Sequence, residues 1–281
     1  MMSIDDKMKH ARSADSEELW KLIRDSGDDV VLNAVSNRNL TEDMAVFIAR
    51  QKKTSSEVLG ILAGDIRFKG SYKLKLSLCK NPKSPQKIVL SLLKHLRIFD
   101  LGDITKDRNI PMPIRQKIEY SLSEKIASLP SGVKAALAKC SSLTILISLL
   151  GTGDKKVIHS CLESPLLTED HLCKLINKPD SKRFLIKLLA EHPKWSLRYK
   201  IRYALAKNYH TPMTYVTDFI STLKTIDLRE LYSDKSLPLS TRPYIFNELS
   251  TRGEPVEIPQ EEIYNLSGDE DSGFADTDMQ S

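Results

Sequence analysis

Aromatic residues are scarce in this chain of 281, at 6%, and glycine occurs only 11 times. Leu, Ile, Lys, Ser and Ala fill the space instead, a balance that favours helices over sheets. Long apolar runs are missing too. The longest mostly apolar stretch, "LTILISLL" at 143–150, ends at a Gly-Thr-Gly break and reads as a buried helix, short of a membrane span. The first twenty residues, "MMSIDDKMKHARSADSEELW", are polar and charged with no apolar h-region, so no signal peptide is expected. Cysteines number four (Cys79, Cys140, Cys161, Cys173), scattered inside apolar helical patterns. They are expected to be buried free thiols, which fits a reducing, cytoplasmic setting.

Catalytic signatures are equally thin. "GTGDKK" at 151–156 lacks the Gly-Lys-Ser/Thr ending of a phosphate-cradling loop and reads as a turn. No Gly-x-Ser-x-Gly elbow occurs. "HSC" at 159–161 and "HLC" at 171–173 suggest zinc, but residues two apart on a helix point to opposite sides, so neither pair chelates. His159, Cys161, His171 and Cys173 are therefore read as core cysteines with nearby polar histidines. No catalytic residue, metal, cofactor or small-molecule substrate is expected.

What the chain does have is itself, written twice. Laid over itself so that residue 6 meets residue 133, the sequence aligns 6–126 with 133–253 without a gap. "LTED" recurs at 40–43 and 167–170, Tyr72-Lys73 at Tyr199-Lys200, Asp100-Leu101 at Asp227-Leu228, and Pro111 at Pro238. Between 72 and 122, 15 of 51 positions are identical, against roughly three or four for unrelated segments, so the chain reads as a tandem duplication. Within each segment a shorter phrase also returns: "NRNLTED" as "NPKSPQK" in the first, "SPLLTED" as "NYHTPMT" in the second. A Ser or Thr before Pro or Glu is a helix-start signal, so Thr41, Ser84, Thr168 and Thr211 are the predicted N-caps. Asp100/Asp227 and Asp107/Asp234 recur with the same offset, which suits caps or turns better than an acid–base pair.

Helices this short bury an apolar face only by stacking, so the expected fold is all-α, an α-solenoid of short helix-turn-helix repeats. The phrases "LSLCKNPKSPQKIV" (76–89) and "ALAKNYHTPMTYV" (204–216) carry a resemblance to bacterial HEAT-like and variant leucine-rich repeat proteins. It spans about 13 to 250 and implies a curved scaffold rather than an activity. The expected organisation is a lead-in at 1–12, a first repeat segment at 13–126, a second at 133–253 and an acidic disordered tail at 254–281. Some alkylpurine DNA glycosylases share HEAT-like repeats and use Trp and Asp on a basic concave face. Here Trp20 aligns with Ile147 and Trp195 with Phe68, both core-like positions, which makes that reading remote.

Charge divides the chain. Residues 253–281 hold nine acids and no Lys or Arg, so the net charge of +5 leaves +14 on residues 1–252. Several basic positions recur at the offset of the duplication: Lys73/Lys200, Lys75/Arg202, Lys80/Lys207, Arg97/Lys224 and Arg115/Arg242. Lys73 and Lys80 lie seven apart, on one helix face, and Lys200 and Lys207 repeat the arrangement. These four lysines are the candidate contacts for a partner. A non-enzymatic adaptor binding a protein on its curved face is the leading expectation. Nucleic-acid binding through the duplicated basic stripe is the alternative, although no platform of exposed aromatics is expected to read bases.

Overall fold

The computed structural model describes residues 3–25 and 27–255. The expected acidic tail lies, from residue 256 on, outside the described residues. Among the described residues the chain forms eighteen α-helices and two 3-10 helices, and no strand. The first segment contains α1 (Ile4–Ala11), α2 (Ser16–Asp25), α3 (Asp28–Ala34), α4 (Glu42–Arg50), α5 (Ser56–Gly64), α6 (Tyr72–Lys80), α7 (Gln86–Leu92), α8 (Ile98–Lys106) and α9 (Met112–Ile126). The second contains α10 (Ser131–Cys140), α11 (Leu143–Leu150), α12 (Lys155–Leu162), α13 (Glu169–Ile176), α14 (Arg183–Glu191), α15 (Tyr199–Lys207), α16 (Met213–Thr222), α17 (Thr225–Ser233) and α18 (Arg242–Thr251). Three of the second set, α14, α15 and α17, start and end at the positions that the sequence alignment pairs with the ends of α5, α6 and α8.

Helices pack mainly on their second neighbours: α1 on α3, α4 on α6, α10 on α12, α13 on α15 and α16 on α18. Apolar side chains fill the space between in two clusters, one from Ala11 to Leu78 and one from Cys79 to Leu249. The second cluster runs through the 126–133 junction, where α8 packs on α10 and α9 on α11. Gly102 of α8 permits that approach. A Cβ there would stand 2.9 Å from Leu137 Cδ1 and 3.2 Å from Cys140 Sγ. Its counterpart in the second segment is Arg229, exposed and paired with Glu254.

The lead-in is part of the body. Ser3 caps α1 by accepting the Asp6 N–H at 3.2 Å, and Ala11 is fully buried. Its polar sequence conceals one apolar edge, with Met8 packed on the core. The thiols also differ from expectation: Cys79 and Cys161 are buried, whereas Cys140 and Cys173 are only half-buried. Trp195 is buried, while Trp20 is half-buried, edge-on to Phe47 with the Arg24 guanidinium over its ring.

The opening asparagine of the repeated phrase is a staple, buried at Asn37 and Asn81 and half-buried at Asn208. Asn81 Nδ2 donates to the Ala49 and Gln51 carbonyls at 2.8 and 3.0 Å, while its Oδ1 accepts the Lys83 N–H at 3.0 Å. Asn37 does the same toward Ala11 and Ala14, and Asn208 toward Ile176 and the Ser181 hydroxyl. Each staple satisfies at least one carbonyl at or just past the end of an earlier helix, which that helix leaves without an internal partner. At the fourth phrase, Ser164 Oγ accepts the Leu166 N–H and reaches no such carbonyl.

Two of the four predicted caps hold their places. Thr41 accepts the Met44 N–H, and Thr168 forms a capping box with the His171 side chain. Ser84 and Thr211 are corrected: the N-caps are Pro85 and Pro212, whose carbonyls accept the first intrahelical bonds from Val89 and Val216. With φ near −57° and ψ of 126° and 136°, each proline is itself the extended residue before the helix. The hydroxyl is left one residue behind. Thr211 Oγ1 turns back to the Leu205 carbonyl at 2.6 Å, and Ser84 Oγ is buried with no hydrogen-bond partner.

Candidate partner-binding grooves

Two grooves open where the asparagine staples hold helix ends together, at equivalent places in the two segments. The first, of about 310 Å³, lies between the end of α4 and the end of α6. The second, of about 420 Å³, lies between the ends of α13 and α15. Six positions of their walls correspond at the offset of the two segments: Ala49/Ile176, Arg50/Asn177, Lys52/Pro179, Lys80/Lys207, Asn81/Asn208 and Pro82/Tyr209. Lys80 and Lys207 precede the staples and so line the grooves. Lys73 and Lys200, one helix length away, line neither.

Each groove lysine faces an aspartate from a later turn. Lys207 Nζ is ion-paired with Asp234, and that partner, with the Ser236 hydroxyl and N–H, holds the carboxyl well below the usual carboxylate range. Asp107 accepts the Asn109 N–H at 2.9 Å, and this bond, with Lys52 and Lys80 nearby, likewise lowers its pKa. Lys52 Nζ reaches Asn109 Oδ1 at 3.4 Å across the first groove's edge. Both aspartates thus fix a turn and set a negative charge near the groove lysine.

Apolar residues adjoin the second groove. Pro238 lines it and is followed by Leu239, which is 63% exposed; at the paired positions in the first segment Pro111 is followed by Met112, which is 61% exposed. Tyr209, 68% exposed, stacks on His210 with ring centroids 3.8 Å apart. The sequence reading missed these residues, because apolar groups outside the helical period carry no core signal.

Several of the other recurrent basic residues serve the chain itself. Arg97 lies over the Tyr72 ring and Lys224 over Tyr199, and each of those tyrosine hydroxyls donates to Asp100 or Asp227. Arg115 donates to the Ile110 carbonyl and Arg202 to that of Ser196. Lys200 pairs with Asp170 at 3.1 Å. Recurrence at these positions therefore has intramolecular reasons.

The suspected zinc residues are dispersed. Cys161 is core, His171 is occupied in the α13 cap, and Cys173 points its thiol at the Lys200 carbonyl. His159 instead meets Glu163 and His192, with donor atoms within 4.8 Å of one another. That spacing would suit a cation, but the ring orientation argues against it. A ligating imidazole donates through its other nitrogen, whereas His192 Nδ1 accepts the N–H groups of Lys194 and Trp195 at 3.2 and 3.4 Å. The ring proton then sits on Nε2, 3.3 Å from Glu163 Oε1, and that atom offers no lone pair.

Comparison with known proteins finds no matching family model, no matching curated protein and no matching solved structure. Among the described residues no helix is long and apolar enough to cross a membrane.

Proposed function

We propose that the chain is a tandemly duplicated α-solenoid acting as a non-enzymatic adaptor, and that its two grooves bind extended protein segments. The observation that carries this reading is the pairwise correspondence of the groove walls, with Lys80 and Lys207 at equivalent places. The recurring helix offset and the resemblance of the "ALAKN" and "LSLCKN" phrases to HEAT-like repeats support the repeat architecture. Free thiols go with a cytoplasmic setting. A groove lysine with Pro238 and exposed Tyr209 in the same wall suits a segment that couples a carboxylate with an apolar side chain. Two grooves on one chain would add avidity when one partner carries two such segments.

The test is binding of immobilised peptides that pair acidic and apolar residues, measured with the full chain and with the Lys80→Glu/Lys207→Glu variant. Binding that survives moderate salt and is lost in the variant supports the proposal. Retention of single-stranded nucleic acid instead, lost steeply as ionic strength rises, would favour the basic-stripe alternative.

A further inference from the structure

The turn after α14 is held by a titratable acceptor, and its counterpart after α5 is not titratable in the same range. His192 is 4% exposed, and its Nδ1 accepts the Lys194 and Trp195 N–H groups at 3.2 and 3.4 Å. At the equivalent place Asp65 Oδ1 accepts the Arg67 N–H at 2.9 Å. Both turns then dock on the same part of the fold. Trp195 Nε1 donates to the Leu162 carbonyl at 3.0 Å, and Arg67 donates to the corresponding Val35 carbonyl at 3.2 Å.

The two acceptors respond differently to acid. Arg67 holds the Asp65 carboxyl below its ordinary 3.8, so Asp65 remains an acceptor in mild acid. A proton added to His192 goes to Nδ1, because Nε2 already carries one. The nitrogen then becomes a donor confronting two backbone donors, one of them the buried Trp195 N–H. Nε2–H has no aligned acceptor to offset this.

We propose that the 192–198 turn is an acid-released latch: protonation of His192 removes its acceptor and lets the segment carrying Trp195 open, while the Asp65 turn stays closed.

The groups facing the ring are Lys155 and His159 from α12, Glu163 at its C-cap, Glu191 from α14, and Lys194 from the turn itself. Glu163 favours the charged ring. Burial, the largest influence, acts with His159 and Lys194 against it and lowers the pKa from the ordinary 6.5. An opened turn returns His192 to that ordinary value, so the open form binds more protons. The closed form is therefore favoured above about pH 6.5 and loses that advantage as pH falls through the lowered value.

Hydrogen exchange of the full chain, read as protection at 192–198 between pH 7.5 and 5.0 and corrected for intrinsic rates, tests the latch. Protection there should drop by about tenfold while residues 65–71 keep theirs. In His192→Asn and His192→Asp, each a permanent acceptor at these pH values, protection should not change with pH. Two variants are used because an aspartate meets Glu163. Equal loss in wild type and in whichever variant folds, or no loss in wild type, overturns the proposal.

Discussion

Lys207 and Asp234 form an ion pair at the second groove, and the same aspartate accepts the Ser236 N–H at 2.8 Å. One carboxylate therefore both fixes a turn and occupies the lysine that a partner's carboxylate would seek. Asp234→Asn separates the two roles, because an asparagine oxygen still accepts the N–H. The loss of a half-exposed pair should cost no more than about 1 kcal/mol, while affinity for acidic peptides should rise as Lys207 is freed. Urea unfolding and calorimetric titration on the same variant check both halves.

The asparagine staples should dominate single-site stability. Replacing Asn81 with Ala strands a buried carbonyl and should cost about 2–3 kcal/mol, seen as a lower urea midpoint, and the same change at half-buried Asn208 should cost about 1–2 kcal/mol. Asp at these positions should do no better, since a carboxylate has no donor for a carbonyl. Ser164→Ala, where no staple exists, should be nearly silent by comparison.

These positions also show what the sequence could and could not disclose. Helix periodicity and the recurring offset between the two segments were legible because they are properties of chain order. Caps before Glu were legible at Thr41 and Thr168. Those before Pro were not, because the extended proline shifts the helix start past Ser84 and Thr211 by one residue. The asparagines stood out as phrase openers, but their role depends on carbonyls far upstream, at Ala49 for Asn81 and at Ile176 for Asn208. Lys80 and Lys207 were picked by recurrence and by their seven-residue spacing from Lys73 and Lys200. Their aspartate partners come from a later turn, and only the fold brings that turn to the groove.

Gly102 should resist substitution. Ala there gains about 1 kcal/mol of helix propensity but drives a Cβ to 2.9 Å from Leu137 Cδ1, so a net loss of about 1–3 kcal/mol is expected. Gly60, whose nearest such neighbour is Ile88 Cδ1 at 4.0 Å, should instead be stabilised by Ala. Thermal melts of the two single variants should move in opposite directions.

Thiol labelling should split the four cysteines into pairs. Burial pushes the Cys79 and Cys161 thiols up to about 12, leaving almost no thiolate at neutral pH. Cys140 and Cys173 are half-buried and raised less, so a maleimide should modify these two in the native protein and all four after denaturation. Rapid modification of Cys79 before the others would contradict the packing of α6.

Acid should unfold the protein in two separable stages. Asp65, Asp107, Asp154 and Asp234 each accept backbone N–H bonds and have pKa values lowered from the ordinary 3.8. A lowered carboxylate pKa means that the unfolded chain binds protons first as pH falls. The stability these groups confer is whole above about pH 4 and drains away below it. His192 acts earlier, below about pH 6.5, with the same sign. Urea midpoints followed from pH 7.5 to 3 should therefore show a shallow decline, then a steeper one. Asp107→Asn should soften only the second, because its oxygen still holds the Asn109 turn but no longer titrates. If that variant flattened the decline near pH 6 instead, the assignment of the first stage to the histidine would be wrong.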